Sequence, residues 1–207
     1  MNKIFITTVA QQSGKFDAMI YKTDDPSLKS DRPTHYPIIY AIENNVEPDD
    51  DIELIVLQYP TPALDKNFAI LKDYITKIEE AKNIKIKLTT IEHLGNETNE
   101  GHIALFKELK SKIPVNGKLY ADITYGTKPT PVILFTVLSY LSILRPYISV
   151  EKIIYGQINW GTDETGKSVA NGASLFDVSK LLKRLYYAEK LMEDGGDNVE
   201  EVLDHML

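Results

Sequence analysis

Residues 119–144 read LYADITYGTKPTPVILFTVLSYLSIL, and the pattern of residues changes twice along this stretch. Residues 119–124 form a short β-prone run. TYGTKPTP at 124–131 is rich in turn formers, and 132–144 is an almost unbroken apolar stretch of helical length. A strand passing through a Gly- and Pro-bearing turn into an apolar helix is half of a β-α-β unit, and the flanking sequence repeats the theme. Upstream, KIFITTV (3–9) and IELIVLQ (52–58) are compact buried strands, and 84–91 alternates as a third. Between them, residues 63–81 place Leu64, Phe68, Leu71, Tyr74, Ile75 and Ile78 at steps of three or four, as a helix with one buried face requires. Residues 99–112 do the same with Ile103, Phe106 and Leu109, and NGK at 116–118 turns the chain. Downstream, KIIYGQI (152–158) is a further strand.

This alternation predicts an α/β fold: a Rossmann-like, doubly wound, mostly parallel sheet with helices on both faces, because right-handed crossovers return each helix over the sheet. Ligands in such sheets lie beyond the carboxyl ends of the strands, where the connections diverge. The loops at 11–15 and 124–129 are therefore expected to be neighbours. Residues 17–36 read as a short strand (FDAMIYKT) and an exposed turn-rich segment, and PIIYAIENN as either helix or strand. GTDETGKSVANG (161–172) reads as an exposed loop against which Trp160 packs. Then ASLFDVSKLLKRLYYAEKL leads into a helix capped by Asp177 or Ser179 and carrying Leu181, Leu182, Leu185 and Tyr186. One domain, 1–193, is expected, followed by a short acidic helix or tail at 194–207.

Composition narrows the chemistry. The 207 residues include no cysteine and four histidines without metal-ligand spacing, so thiolate and disulfide chemistry is excluded and no metal or cofactor is expected. A net charge of -7 disfavours long duplex nucleic acid, since nonspecific affinity comes from neutralising many phosphates. No apolar run reaches membrane-spanning length, and the first residues lack a signal-peptide pattern, so the expectation is a cytoplasmic protein without a membrane role.

Within 124–128, Gly126 permits a sharp turn and Pro129 suits a first helical position. Helix-start amides, the helix dipole, the Thr124 and Thr127 hydroxyls and the Lys128 ammonium would then favour an anion such as phosphate. The alternative is that Thr127 merely caps the helix and Lys128 sits in water. The pattern is neither GxxxxGK[ST] nor GxGxxG, which argues against ATP hydrolysis and dinucleotide binding. Asp122 reads as a hydrogen-bonding buried carboxylate for a nearby loop or cap. Tyr125 either stacks on a base or fills space beneath the turn. AQQSGK (10–15) offers Gln11, Gln12, Ser13, Gly14 and Lys15 for base-edge or phosphate contacts, and equally describes a solvated strand exit. Gln157 could reach a ligand from the later strand.

The succession LYADITYGTKPTPVILFTVLSYL, KIIYGQI and SLFDVSKLLKRLYYAEKL resembles the CARF (CRISPR-associated Rossmann fold) family of type III CRISPR antiviral defence, over nearly the whole chain to about residue 191. Tyr125 stands where the family commonly has His, and Lys128 occupies the helix start. The resemblance implies a homodimer whose groove binds a cyclic oligoadenylate, with cyclic tetra-adenylate the expected ring. Family positions carry over to Gln11, Gln12, Ser13 and Gly14 in the first loop, and to Thr124, Tyr125, Gly126, Thr127 and Lys128 in the turn. Some members cleave the ring without metal, by in-line attack of a ribose 2′-hydroxyl. On that reading Ser13 and Lys128 orient and stabilise the reacting phosphodiester, a ring nuclease. Otherwise the chain is a sensor acting through a separate partner, or a Rossmann-like enzyme of mononucleotides or sugar phosphates.

Overall fold

Apolar residues buried on both faces make β1 (Asn2–Thr8) an interior strand of the sheet: Ile4, Phe5 and Ile6 are fully enclosed. The computed structural model describes residues 1–12, 17–59, 61–92, 97–162 and 164–193. In chain order β1 is followed by β2 (Tyr21–Lys22), a 3-10 turn (Pro26–Leu28), α1 (Ile38–Asn45), β3 (Asp51–Gln58), α2 (Pro62–Lys82), β4 (Ile86–Glu92) and α3 (Asn99–Lys112). Then come β5 (Gly117–Asp122), α4 (Pro129–Leu144), β6 (Ile148–Thr162), β7 (Ser168–Asp177) and α5 (Ser179–Glu193).

The described strands form one seven-stranded sheet in the order β2-β7-β6-β5-β1-β3-β4. β4, β3, β1, β5 and β6 run parallel. β7 returns antiparallel to β6, and β2 lies parallel to β7. The α/β, Rossmann-like reading therefore holds. β1 pairs with β3 on one side (Ile6 opposite Ile55) and β5 on the other (Ile6 opposite Ala121), so the winding reverses at β1. In sheets of this kind ligands bind where the winding reverses, which here is beyond the carboxyl ends of β1 and β5.

Two apolar layers follow from the pleat. Phe5, Val9, Leu54, Val56 and Tyr120 pack under α1 and α2, joined by Tyr40, Leu71 and Ile78. On the other face Ile4, Ile6, Ile55 and Leu119 pack under α3 and α4 with Leu109, Leu134 and Val137. Local caps end the helices: Asn83, at φ 52°, closes α2 with its N–H on the Glu79 carbonyl, and the Thr98 hydroxyl accepts the Gly101 N–H at 3.1 Å to start α3.

PIIYAIENN resolves as helix α1, β2 lies within the expected short strand FDAMIYKT, and residues 17–36 add the 3-10 turn and a bridge between Met19 and Thr34. α4 begins at Pro129, the first helical position expected for that proline. The stretch 161–172, taken for a loop, holds the end of β6 and the start of β7, which continues through 173–177. Its apolar signal is weak because the outer hairpin extends past the sheet and is largely exposed, so burial does not select side chains there. Trp160 is 64% exposed on that arm and does not pack against a loop. The tail at 194–207 lies outside the described residues.

Candidate functional site at the carboxyl edge of the sheet

Asp122, the last residue of β5, is completely buried and organises this edge. It accepts the Ile38 N–H at 3.2 Å, the Thr124 N–H at 2.9 Å and the Thr7 hydroxyl at 3.2 Å. α1 has only Pro37 before it, with no side-chain cap of its own, so a carboxylate 84 residues away caps its first amide. Burial pushes the Asp122 carboxyl up to about 6, while the hydrogen bonds from Thr124, Ile38 and Thr7 pull the other way. The expectation of a loop-and-cap role is what the geometry displays. All three contacts are to the protein itself, so Asp122 is a structural carboxylate behind the turn.

The turn beyond it is pinned at several points. The Thr124 hydroxyl accepts the Gly156 N–H at 2.8 Å, tying β5 to β6. A Cβ on Gly156 would stand 2.6 Å from Pro37 Cγ and 2.9 Å from Tyr21 Cε1, so only glycine allows that approach. Tyr125 lies beneath the turn: its hydroxyl donates to the His35 carbonyl at 2.8 Å, and its ring meets Tyr36 edge-on at 5.6 Å. Of the two readings for Tyr125, space filling describes this placement. Gly126 has φ +122°, a conformation strained for any side chain, and a Cβ there would meet Thr130 Cβ at 2.8 Å.

The start of α4 departs from the expected amide-rich anion site. Pro129 and Pro131 have no N–H, and the Thr130 N–H is taken by the Thr127 carbonyl at 3.0 Å. Thr127 is not a conventional cap either. Its hydroxyl joins a cluster, 3.2 Å from the Tyr59 hydroxyl and 3.1 Å from the Thr130 hydroxyl, and Tyr59 is 3.2 Å from Thr130. What remains for an anion is the dipole of α4, the exposed Lys128, and the Gly126 and Lys128 N–H groups, for which no hydrogen bond is formed among the described residues.

The first loop leaves β1 beside this turn. Ala10 is held by both of its peptide groups: its N–H reaches the Tyr36 hydroxyl at 3.4 Å, and its carbonyl accepts the Asn67 side-chain amide at 2.7 Å. Asn67 also donates to the Gln12 carbonyl at 3.0 Å, and the Tyr36 hydroxyl donates to the Asn67 carbonyl at 2.9 Å. Gln11 and Gln12 are thus fixed through their backbone while their side chains stay exposed. Ser13, Gly14 and Lys15 lie outside the described residues. Gln157 is exposed on the face of β6 it shares with Ile153, and the link from β6 to the turn runs instead through Gly156.

Tyr59, Asn67 and Tyr36 were not singled out from sequence. Tyr59 carries a signal, since it immediately follows β3 at the edge where ligands bind in such sheets. Asn67 is hidden within an amphipathic helix, where an amide looks like ordinary surface. Among the described residues no group of three His, Cys, Asp or Glu side chains converges as metal ligands would, and no helix is long and apolar enough to cross a membrane. No protein-family model matches the chain, and no curated protein matches it significantly. Fold and site define a Rossmann-like α/β protein whose carboxyl edge, at the topological switch point, carries a hydrogen-bonded polar turn followed by the exposed Lys128.

Proposed function

We propose that two copies of this chain bind one cyclic oligoadenylate, in the manner of a CARF protein of type III CRISPR defence, in a groove made from the loop after β1 and the turn before α4 of each copy. The observation that carries this reading is the dual character of α4. Its first turn lies beside the exposed Lys128, and its outer face leaves Val132, Tyr140, Ile143 and Leu144 in solvent with Thr136 among them. So much exposed apolar surface on one helix favours a covering partner. α5 adds Leu181 and Leu185, and the cross-strand pair Tyr155 and Phe176 extends the surface along β6 and β7. A two-fold contact through this face covers it with its own copy and gives a symmetric ring two equal half-sites.

In this groove Gln11 and Gln12 of the first loop, and Thr124, Gly126 and Thr127 of the turn, line the ring, with Tyr125 supporting the turn from below and Gln157 at the margin; Gly14 belongs to the ring-binding set only on the family resemblance. The exposed Lys128 meets a phosphodiester, and the family resemblance assigns Ser13 to the same phosphodiester. Asp122 is committed to three internal donors and is no general base, so ring opening would rest on alignment of a 2′-hydroxyl and on charge stabilisation by Lys128. Incubating the chain with radiolabelled cyclic tetra-adenylate in EDTA tests both levels. Linear products support a ring nuclease, and bound but unchanged ring supports a sensor acting through a partner. Absence of binding, with preference for a mononucleotide or sugar phosphate in a parallel titration, rejects the reading.

A further inference from the structure

A concavity lies away from the carboxyl edge of the sheet, between α1, α2 and the segment 32–34. It encloses about 270 Å³, at the small end of ligand sites, so it suits a single small molecule and not a ring of nucleotides. Its floor is apolar, with Ile39 and Ile78 buried to 2% and 4% exposure. Tyr40 and Tyr74 contribute to its walls. Around the opening stand Arg32, Lys77 and Lys82 against one carboxylate of the lining, Glu43. Arg32 spans to Glu43 at 2.8 Å, and Lys77 pairs in solvent with Asp73 at 2.6 Å. Burial pushes the half-buried Glu43 carboxyl up, opposed by Arg32 and Lys82. Two of these cations are already paired, so Lys82, whose ammonium also donates to the Val46 carbonyl at 3.3 Å, leaves the rim with one positive charge in excess in a chain of net charge -7.

We propose that this slot is a second binding site, taking a planar aromatic ring that bears an anionic group and is no larger than a mononucleotide. The ring packs against the partly exposed Tyr74 over the isoleucine floor, with the enclosed Tyr40 behind it, the anion meets the lysines, and Glu43 accepts from an amino or hydroxyl group on the ring. This inference does not depend on the cyclic oligoadenylate reading. The slot is also wired to the turn before α4. The Tyr74 hydroxyl is 2.9 Å from His35 Nδ1, and the His35 carbonyl accepts the Tyr125 hydroxyl at 2.8 Å. A ligand pressing on Tyr74 therefore steadies the turn at 124–127 through two hydrogen bonds.

The test is calorimetric titration of the full chain with two probes, adenosine 5′-monophosphate and 4-hydroxybenzoate, followed by hydrogen–deuterium exchange. Saturable binding of at least one probe is expected. It should be abolished by Ala81→Trp, which fills the slot from its exposed rim, and weakened several-fold by the surface change Lys77→Glu, which keeps the test valid if the tryptophan variant folds poorly. Exchange should slow at 33–35 and 124–127 on binding. Tyr74→Phe should keep protection at 33–35 and lose it at 124–127. Failure of both probes to saturate, or wild-type affinity in both Ala81→Trp and Lys77→Glu, overturns the proposal. Loss of binding in Lys128→Ala with retention in Ala81→Trp does so too, because the probe then occupies the carboxyl edge.

Discussion

Asp122 gives the sharpest physical test of how the carboxyl edge is built. A carboxyl displaced from its ordinary 3.8 to about 6 binds its proton more tightly in the folded chain than in the unfolded one. At about 1.4 kcal/mol per pH unit, the displacement corresponds to roughly 3 kcal/mol. The sign follows from linkage: a raised value means the contribution is fully present below 3.8 and is lost as pH rises through about 6. Asp25 and Asp50 slope the opposite way. Burial raises each, but hydrogen bonds prevail, from Lys152 and Ser27 for Asp25 and from Lys3 and Glu47 for Asp50, and hold both carboxyls below the usual range. Their contributions are lost as pH falls. Comparing wild type with Asp122→Asn by urea denaturation at a series of pH values cancels those shared slopes. The stability of wild type relative to the variant should fall by roughly 3 kcal/mol between about pH 4 and about pH 7. A difference that stays flat, or grows with pH, would refute the reasoning, because the three donors would then outweigh burial and Asp122 would be an ordinary ionised cap.

Gly126→Val should destabilise the fold by about 2 kcal/mol or more, since it puts a β-branched residue at positive φ against Thr130; a wild-type melting temperature would show that the turn is unstrained. Lys128→Ala should leave thermal stability nearly unchanged and weaken cyclic tetra-adenylate binding, and equal affinity in a titration would remove Lys128 from the site. Val132→Glu should convert a dimer to a monomer by light scattering while circular dichroism stays native, because the residue is 65% exposed in the single chain; an unchanged mass would move the interface elsewhere.

The winding of the sheet was readable because each buried strand and each amphipathic helix writes its own period into the residues, as 63–81 and 99–112 do. β7 was not readable. An antiparallel return needs no crossover helix, and its outer half is too exposed for burial to select apolar residues. The turn at 124–128 is legible from its Gly and Pro, and so is a limit on its chemistry: PTP at 129–131 removes two of the amides a helix start usually offers. Asp122 was legible as a carboxylate in need of partners. That it caps α1 was not, because the cap spans 84 residues. Tyr59 and Asn67 act across elements, on Thr127 and on the loop after β1, and no local pattern announces a partner that distant.

Binding stoichiometry tests the proposed two-chain groove most directly. Titrating the purified chain with cyclic tetra-adenylate, with mass measured by light scattering at each point, should give one ring bound per two chains and a dimer throughout. A ring bound by each single chain in a monomer, or a dimer that ignores the ring, would contradict it.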